Sequence, residues 1–488
     1  MPIEIGGWRS LRKSRKLVVV IVAIALLLDN MLLTTVVPIL PEFLYDIRHP
    51  EAPLSVSLED ITPPPPSPTP YCPCLRDNST MEPENTTFSK CIHTLNITAE
   101  REYRHQELLH ESLDVGIMLA SKAVVQLLTN PFIGPLTHRI GYSVPMFVGF
   151  VIMFISSLVF AFGRSYSVLF VARALQGIGS SCSSVSGMGM LAERYPDDKE
   201  RGNAMAVALG GLAFGVLIGP PYGGFMYQFF GKSSPFLLLS LLALVDGALQ
   251  LMILQPGVVR KESDPPSLKE LISDPYILVT AGAIMVANIG IAMLESCLPI
   301  WMADTMEAAR WEQGVAFLPA SISYLIGTNL FGPLGHIMGR WRAACAGLVI
   351  IGVCLLLVPI ARKLAHLVVP NAGLGFAIGM VDSSMMPELG FLVDIRHSSV
   401  YGSVYAIGDT ALCLGYAIGP SLSGALIYSI GIEWMLVIIS AITFVYSPFL
   451  LLLRSPPPNE ENKGLLKDSS EEKSFIRYVT YKNEEDVE

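Results

Sequence analysis

The sequence predicts an all-α membrane protein with about twelve transmembrane helices arranged in two six-helix halves. Its 488 residues are 51% hydrophobic and 15% charged, whereas soluble domains carry roughly a quarter charged residues. A mean hydropathy of +0.50 also favours a membrane environment. Long apolar runs recur along the whole chain, and two glycine-rich patterns repeat at nearly the same spacing.

The apolar runs are long enough to cross a bilayer, which takes about 20 residues per helix. They cover residues 17–43, 113–136, 144–163, 166–192, 203–230, 234–255, 275–302, 313–335, 343–361, 371–393, 400–428 and 432–453. The first run is too long for a signal peptide and contains Asp29, so we expect it to be retained. The basic cluster before it predicts a cytoplasmic N-terminus, and an even helix number returns the C-terminus to the same side.

Polar segments divide the chain into the parts that we expect to act separately. These are a basic cytoplasmic N-terminus (1–16), a first six-helix half (17–255), a cytoplasmic linker (256–274), a second six-helix half (275–453) and a disordered acidic cytoplasmic tail (454–488).

Residues 44–112 form a polar, proline-rich loop inside the first half, which the charge pattern places on the luminal or extracellular side. Asn78, Asn85 and Asn96 each begin an N-glycosylation sequon, which agrees with that placement. The same loop contains three cysteines, so one disulfide would leave one thiol, and the pairing stays open among Cys72, Cys74 and Cys91.

Two unrelated patterns recur in one register and indicate a parallel repeat. The stretch from Gly134 through Arg139 to Gly141 reappears 198 residues later as Gly332 to Gly339. The set Gly215, Gly219, Pro220 and Gly224 reappears 200 residues later as Gly415, Gly419, Pro420 and Gly424. Glycines four apart let helices approach closely and proline removes a backbone hydrogen bond, so we interpret these as points where a helix bends; tight packing alone is the alternative.

Charged side chains inside the apolar runs are candidates for function, because each costs roughly 3 kcal/mol or more at the bilayer centre. Those that we single out are Asp29, Lys122, Arg173, Glu295, Asp382, Glu388 and Asp409. Helical spacing groups them with other polar residues in three stripes, namely Lys122–Gln126–Asn130, Asn288–Glu295 and Tyr405–Asp409–Tyr416. Stripes on several helices predict a hydrated central pathway. The alternative for Lys122, Arg173 and one acid is a buried ion pair that locks helices together.

These motifs resemble those of the major facilitator superfamily. Gly134, Arg139 and Gly141 are similar to its loop signature after the second helix, and the stretch 210–224 is similar to its antiporter motif in the fifth. Within the superfamily, residues 15–456 resemble the vesicular amine transporters. The matching segments are 26–32, 120–122, 175–181 and 379–386.

The resemblance implies a major facilitator-type fold and exchange of cytoplasmic biogenic monoamines for protons by alternating access. The expected amines are of the serotonin, dopamine, noradrenaline, adrenaline and histamine class, and the expected location is the membrane of secretory or synaptic vesicles. The Gly187–Leu191 and Gly290–Glu295 segments favour this branch. Acetylcholine or another organic cation is the nearest rival substrate.

The resemblance also implies roles for individual residues. Substrate binding would fall to Asp29, Asn30, Asn288, Glu295, Trp301, Tyr324 and Tyr416, with Asp29 meeting the ammonium and aromatic rings adding cation–π attraction. Proton coupling would fall first to Asp382, with Asp409, Lys122, Arg173, Gln126, Asn130 and Gln176. Asp409 is expected to pair with Lys122 in one state and to separate from it in the other. Glu388, six residues after Asp382, is expected at a helix end or interface.

Two departures from the superfamily pattern predict a weaker cytoplasmic charge latch. His138 stands where many members have an acid, and Ile337 replaces a basic residue in the second copy. In the tail, Glu461 with Leu465 and Leu466 resembles an acidic dileucine signal, which would make sorting adaptors partners of the chain.

Other classes of protein fit the sequence less well. A receptor or channel would not need the two-half repeat or the helix-five motif. The sequence has no phosphate-binding loop, metal-ligand cluster or nucleophile–base pair, so we expect no enzyme activity, no metal and no cofactor, with a proton gradient as the driving force. The net charge of −9 gives no reason to expect a nucleic-acid partner, and we expect a monomer in the lipid bilayer.

Overall fold

The computed structural model describes residues 15–48, 117–253, 268–306, 310–397 and 401–457. Its long helices in the first half are α1 (Arg15–Arg48), α2 (Ile117–Ile140), α3 (Ser143–Phe162), α4 (Tyr166–Arg194), α5 (Asp198–Phe230) and α6 (Ser233–Ile253). Those in the second half are α7 (Pro275–Met306), α8 (Leu318–Met338), α9 (Arg340–Leu357) and α10 (Leu364–Arg396), followed by the broken segment Tyr401–Tyr446. The break lies at Gly431, and we number the two parts α11 (401–430) and α12 (432–446).

Shorter helices complete the described part of the chain. They are Leu268–Ser273, Arg310–Val315 and the 3₁₀ helices Val358–Ile360 and Ser447–Arg454. The three predicted glycosylation sites, the three loop cysteines and the dileucine residues Glu461, Leu465 and Leu466 lie outside the described residues.

Eleven helices in the described ranges are long and apolar enough to cross a membrane, and α11 is the long helix that is not among them. Residues 401–409 of α11 are all buried. Because protein surrounds this stretch, glycine, serine and tyrosine are tolerated where lipid would demand apolar side chains. The predicted all-helical membrane fold with about twelve long helices is confirmed.

Two helices start earlier than predicted. Helix α5 begins at Asp198 rather than near residue 203, and α10 begins at Leu364 rather than near 371. At the start of α5, the Asp197 side chain accepts a hydrogen bond from the Glu200 backbone N–H at 3.0 Å. This cap and the acids of the first turn stabilise a helix end too polar to appear in an apolar run.

The two halves use the same pattern of helix packing. In the first half, α1 packs on α5, and α3 packs on both α4 and α6. In the second half, α7 packs on the segment containing α11, and α9 packs on both α10 and the segment containing α12. The halves meet where α5 packs on α8 and α4 on α11. Helix α2 joins this interface, because a methyl group at Gly134 would lie 3.0 Å from the Ser403 Cα of α11.

The repeat is also visible in the backbone. Among the described residues, four glycines have positive φ: Gly141 (82°), Gly231 (79°), Gly339 (91°) and Gly431 (80°). Gly339 follows Gly141 by 198 residues and Gly431 follows Gly231 by 200, which are the spacings of the sequence motifs. Each lies directly after a helix, where a left-handed residue ends the helix at little cost only if it is glycine.

A glycine stripe brings α5 into close contact with α1. A methyl group at Gly215 would overlap the Leu27 carbonyl, and one at Gly219 would overlap the Thr34 hydroxyl. In the second half, methyl groups at Gly415 and Gly419 would lie 3.1 and 2.8 Å from the Cβ atoms of Asn288 and Ala292 on α7. Close packing is therefore observed for both motifs, with Pro220 and Pro420 inside the same helices; that these helices bend during transport stays a prediction.

Candidate functional site

Asp29 forms the centre of a charged cluster in the first half. The Lys122 Nζ of α2 lies 2.9 Å from Asp29 Oδ1, and the Ser180 hydroxyl of α4 donates to the same oxygen. Asp29 and Lys122 are only 5% and 4% exposed. In this conformation Lys122 pairs with Asp29 and not with Asp409, so the predicted Lys122–Asp409 pair of another state stays a prediction. Lys122 and Asp29 lie within one half, so their bond does not join the two halves.

Asp409 on α11 is held by neutral donors from the other half. Gln126 Nε2 and Asn130 Nδ2 of α2 each donate to its Oδ2 at 2.8 Å, and the Ser184 hydroxyl of α4 donates to its Oδ1 at 2.9 Å. The stripe expected on α2 is therefore present as one buried face that serves two acids, with Lys122 on Asp29 and the two amides on Asp409. Asp409 can hold a negative charge here only through hydrogen bonds, because its hydrogen-bond partners carry no charge.

Arg173 and Gln176 form a second buried pair on α4. Arg173 Nη1 donates to Gln176 Oε1 at 2.6 Å, and Nη2 donates to the Leu33 carbonyl of α1 at 3.2 Å. Arg173 Nε and Gln176 Nε2 have no hydrogen-bond partner in the described part of the molecule. Arg173 and Gln176 therefore present a positive charge and two donors without a partner among the described residues, close to Asp29.

Asp382 on α10 is the central acid of the second half. It is 2% exposed and accepts hydrogen bonds from Tyr324 Oη of α8 at 3.1 Å and from Asn288 Nδ2 of α7 at 3.3 Å. Both donors are neutral, so within the described ranges no hydrogen-bonded cation stabilises a negative charge on Asp382. The structure thus brings together three residues that the sequence singled out on three different helices.

Glu295 is exposed, unlike the acids described above. Many protein atoms nevertheless surround its carboxyl. Its carboxyl is therefore accessible although protein surrounds it, as for a side chain that lines a gap between helices. Among the described residues it makes no hydrogen bond or ion pair. Asn30, Tyr324 and Tyr416 are partly exposed, as expected for residues that line the same kind of space. Trp301 is half-buried and packs against the main hydrophobic core.

One face of the bundle is closed by ion pairs between the halves. We call it the Arg15 face, after the first residue of α1, which pairs with Glu200 at 3.4 Å. Arg201 of α5 contacts Asp394 of α10 at 2.6 Å, and Arg340 of α9 contacts Asp198 of α5 at 2.9 Å. These bonds tie the first half to the second.

The Arg15 face also holds the residues expected to weaken it. Ile337 is 76% exposed, and His138 is half-buried at the end of α2 near the exposed Arg139. The closing charges come instead from α5, α9 and α10. Glu388 lies 3.5 Å from Arg340 and so serves this interface, as its helical phase indicated.

Asp274 organises a further charged cluster just before α7. Arg396 Nε contacts its Oδ2 at 2.6 Å, and the His397 ring contacts the same oxygen at 3.0 Å. Burial opposes charge on Asp274, but the hydrogen bonds from His397 and Arg396 outweigh it and keep the pKa of this carboxyl below its ordinary value. The cluster fixes the end of α10 to the start of α7.

Sequence reasoning missed two sets of residues. Asp198, Arg201, Arg340 and Asp394 lie at the edges of apolar runs, where charges are common and carry no signal by themselves. Asp246 lies well inside the sixth apolar run and is 4% exposed, so its depth alone could have drawn attention to it. No group of three or more His, Cys, Asp or Glu residues in the described ranges could hold a metal ion.

Comparisons with known proteins agree with this architecture. The Major Facilitator Superfamily model matches residues 94–408. The synaptic vesicular amine transporter of Bos taurus is 54% identical over 473 residues, covering 94% of this chain and 92% of that protein. The chromaffin granule amine transporter of Homo sapiens is 52% identical, covering 93% and 90%. The vesicular acetylcholine transporter of Homo sapiens is 40% identical, covering 95% and 86%.

A solved structure supports the fold independently of these relatives. The human organic anion transporter superimposes with a TM-score of 0.69 over 89% of this chain and 99% of its own, at 16% sequence identity. At that identity the likeness concerns the fold alone. The family model and the closely similar relatives together show that the chain belongs to the Major Facilitator Superfamily and, within it, to the vesicular amine transporters.

Proposed function

We propose that this chain is a proton-coupled antiporter that loads cytoplasmic biogenic monoamines into acidic secretory or synaptic vesicles by alternating access. The observation that carries the proposal is Asp382, a buried acid whose hydrogen-bond donors, Tyr324 and Asn288, are both neutral. Such a carboxyl can take up and release a proton without breaking an ion pair. The names of the similar amine transporters support the same function.

The proton step follows from the surroundings of Asp382. A carboxylate at this depth is costly without a cation, so protonation from an acidic lumen is favourable. When the site opens to the neutral cytoplasm, water solvates the carboxylate and the proton leaves. Tyr324 and Asn288 then stabilise the charge by donating to the two oxygens.

The amine step begins at Glu295 in this conformation. Asp29 is occupied by Lys122 and Ser180, whereas Glu295 faces open space with no ion-pair partner among the described residues. An ammonium ion entering the cavity therefore meets Glu295 first, close to the ring of Tyr416. Asn30 and Asn288 offer amide groups, and Trp301 and Tyr324 offer aromatic surface.

Lys122 provides the link between the two steps. The substrate ammonium and the Lys122 ammonium compete for Asp29, so substrate binding at Asp29 releases Lys122. Asp409 is near enough to interact electrostatically with Asp29 and shares the α2 face with Lys122. Lys122 would then pair with Asp409 on α11, and this exchange would connect α2 to the second half. Arg173, held by Gln176, repels a protonated amine and favours deprotonated acids nearby.

The closed Arg15 face supports a proposal for the direction in which this conformation is open. The positive-inside bias of the N-terminus assigns the Arg15 face to the cytoplasm. The ion pairs Arg201–Asp394 and Arg340–Asp198 would then close the cytoplasmic side, and the cavity at Glu295 would open to the lumen. The chain would thus have both termini in the cytoplasm and work as a monomer in the bilayer, with protons and a monoamine as its ligands and sorting adaptors at its tail.

Uptake into proteoliposomes with an acidic interior tests the proposal. Wild type should accumulate radiolabelled serotonin, and Asp382→Asn and Asp29→Asn should not. Glu433→Gln is the control, because it removes one negative charge at an exposed position of α12. Normal accumulation by both aspartate variants would show that the site assignment is wrong, and substrate flux that ignores the pH gradient would favour a channel.

Acetylcholine is the rival substrate because a vesicular acetylcholine transporter is 40% identical to the chain. A protonated primary or secondary amine donates hydrogen bonds to carboxylates, whereas a quaternary ammonium has no N–H group. Parallel uptake of serotonin and acetylcholine separates the two. Accumulation of acetylcholine above serotonin would overturn the monoamine assignment and leave proton coupling intact.

A further inference from the structure

Asp246 on α6 is a buried acid that the proposed transport cycle does not use. It lies in a small cavity of about 30 Å³ between α1, α3, α4 and α6. Seven of the eleven lining residues are apolar, and Asp246 is the only ionisable one among them. Leu28 of α1, Phe150 and Ser157 of α3 and Ser183 of α4 face it from the neighbouring helices. Among the described residues that line the cavity, none brings a cation to the carboxyl.

Around Asp246, two buried oxygen atoms lack a hydrogen-bond partner among the described residues. Gln250, four residues later on the same helix face, donates from Nε2 to Asp246 Oδ2 at 2.6 Å. Asp246 Oδ1 and Gln250 Oε1 are both fully buried and have no partner within the described part of the chain. The Ser157 hydroxyl is already used, because it donates to the Met153 carbonyl at 2.8 Å. Two adjacent acceptors therefore lack one donor.

We propose that Asp246 binds a proton and forms a neutral carboxylic acid–amide pair with Gln250. The proton sits on Oδ1, and the resulting O–H donates to Gln250 Oε1 while Gln250 Nε2 donates to Asp246 Oδ2. One added proton thus satisfies both orphaned acceptors and closes a cyclic pair. It also removes the charge that an apolar cavity without a cation cannot stabilise.

A water molecule is the other donor that would fit, since a cavity of this size has room for about one or two. Water would satisfy the acceptors but leave a full negative charge on Asp246. Isolated buried carboxylates neutralise instead of remaining charged, because their desolvation cost far exceeds that of adding a proton. The site is therefore a second place where the protein holds a proton, separated from the Asp382 site and independent of the transport step.

The packing around α6 indicates that this proton stays bound. A methyl group at Gly247, next to Asp246, would overlap the ring of Phe150, so α3 and α6 are in close contact at this level. This contact leaves no room for water between α3 and α6 at Gly247. The acid–amide pair is therefore neutral and would keep its proton while the first half moves as one rigid body.

Infrared spectroscopy of the purified full-length protein tests the inference directly. Wild type should show the C=O band of a hydrogen-bonded carboxylic acid that is absent from Asp246→Asn and constant from about pH 5.5 to about pH 8. In Gln250→Leu the band should move to higher frequency, because the acid loses both hydrogen bonds. No loss of a protonated-acid band in Asp246→Asn at any of these pH values would overturn the proposal.

Transport and stability provide the second readout. Asparagine can form the same cyclic pair with Gln250, so Asp246→Asn should retain serotonin uptake within about twofold of wild type and unfold at a similar temperature. Asp246→Leu leaves the Gln250 amide without partners and should unfold at a clearly lower temperature. Loss of uptake in Asp246→Asn at wild-type stability would show that the proton is exchanged or the charge is required, which contradicts a permanently bound proton. If Asp246→Asn fails to fold, an unchanged band frequency in Gln250→Leu would equally refute the pair.

Discussion

Lys122 Nζ contacts Asp29 Oδ1 at 2.9 Å and joins α2 to α1 within the first half. The carboxyl that the family resemblance assigns to the substrate is therefore already neutralised by a residue of the protein. Under the proposed function an incoming ammonium would have to displace a tethered lysine, so the pair would set a threshold for substrate binding at Asp29. Glu295, exposed to the cavity, has no such competitor among the described residues.

The first prediction concerns the free energy of the Lys122–Asp29 pair. Lys122→Met leaves the Asp29 charge buried and uncompensated, which costs about 3–5 kcal/mol when one member of a buried pair is removed. Asp29→Asn with Lys122→Met removes both charges and should recover most of that loss without restoring uptake. Thermal unfolding of wild type, both single variants and the double variant forms a double-mutant cycle that checks this. Additive losses would show that the two residues do not interact.

The second prediction concerns the contact between α5 and α1. Gly215→Ala places a methyl group against the Leu27 carbonyl, and overpacking of this kind costs about 1–3 kcal/mol or more. We expect reduced yield and a lower unfolding temperature. Gly224→Ala is the matched control on the same helix, because a methyl group there meets nothing within 4 Å. Equal behaviour of the two variants in size-exclusion thermostability assays would contradict the role of close packing.

The sequence was sufficient for the helices and for much of the site. Spacing by four placed Lys122, Gln126 and Asn130 on one face, and the structure puts all three onto buried acids. The partner of Lys122 could not be predicted, because Asp29 and Asp409 lie on different helices whose distances from α2 depend on tertiary packing. Helical phase also separated Glu388 from Asp382 correctly, since an angle around one helix needs no tertiary information.

The charged residues that close the Arg15 face could not be predicted from the sequence, for a different reason. Asp198 and Arg340 are 142 residues apart, and each stands at a helix end where charges normally meet water. These residues pair only because the two halves face each other, and a local sequence pattern does not predict that arrangement. Asp246 was overlooked although its depth in an apolar run carries the same signal as that of the acids that were singled out.

The third prediction tests the closure of the Arg15 face. Arg340→Gln breaks contacts to Asp198 and Glu388 and should shift the conformational equilibrium toward opening of this face. Spin labels on the exposed positions Lys199 and Ile337 in a cysteine-free background would report the distance between the halves. A longer distance component should grow relative to wild type.

The matched control for this experiment is Arg342→Gln. Arg342 is two residues away on α9 and has the Trp341 ring, 5.2 Å from its guanidinium carbon, as a neighbour. It should leave the distance distribution unchanged. The same shift in both variants, or none in Arg340→Gln, would mean that the Arg340 ion pairs do not hold the face closed.

The fourth prediction is a pH dependence that originates at Asp274. Its pKa is lowered in the folded protein, so its contribution to stability is present above the unfolded value of about 3.9 and is lost as the pH falls through the folded value. Asp274→Asn should therefore lower stability at neutral pH by about 1.5–3 kcal/mol. The gap to wild type should narrow below about pH 4.

Unfolding temperatures of wild type and Asp274→Asn, measured at about pH 7, 5 and 3.5, test this pH dependence. Glu433→Gln, at an exposed acid without a resolved role in any cluster, should match wild type at each pH. A gap between wild type and Asp274→Asn that is constant down to the lowest pH would show that the hydrogen bonds from Arg396 and His397 do not depend on the charge of the carboxyl.

The carboxyl groups that close the Arg15 face remain partly wet, with Asp198 and Asp394 at 28% and 26% side-chain exposure. Attraction between charges in such positions is screened by dissolved ions over about 8 Å at physiological ionic strength. Dissolved salt at the Arg15 face thus weakens the ion pairs that close it, without being transported. A higher ionic strength at this face would therefore lower the work of opening it, so the electrolyte that bathes the Arg15 face would influence how readily the two halves separate there.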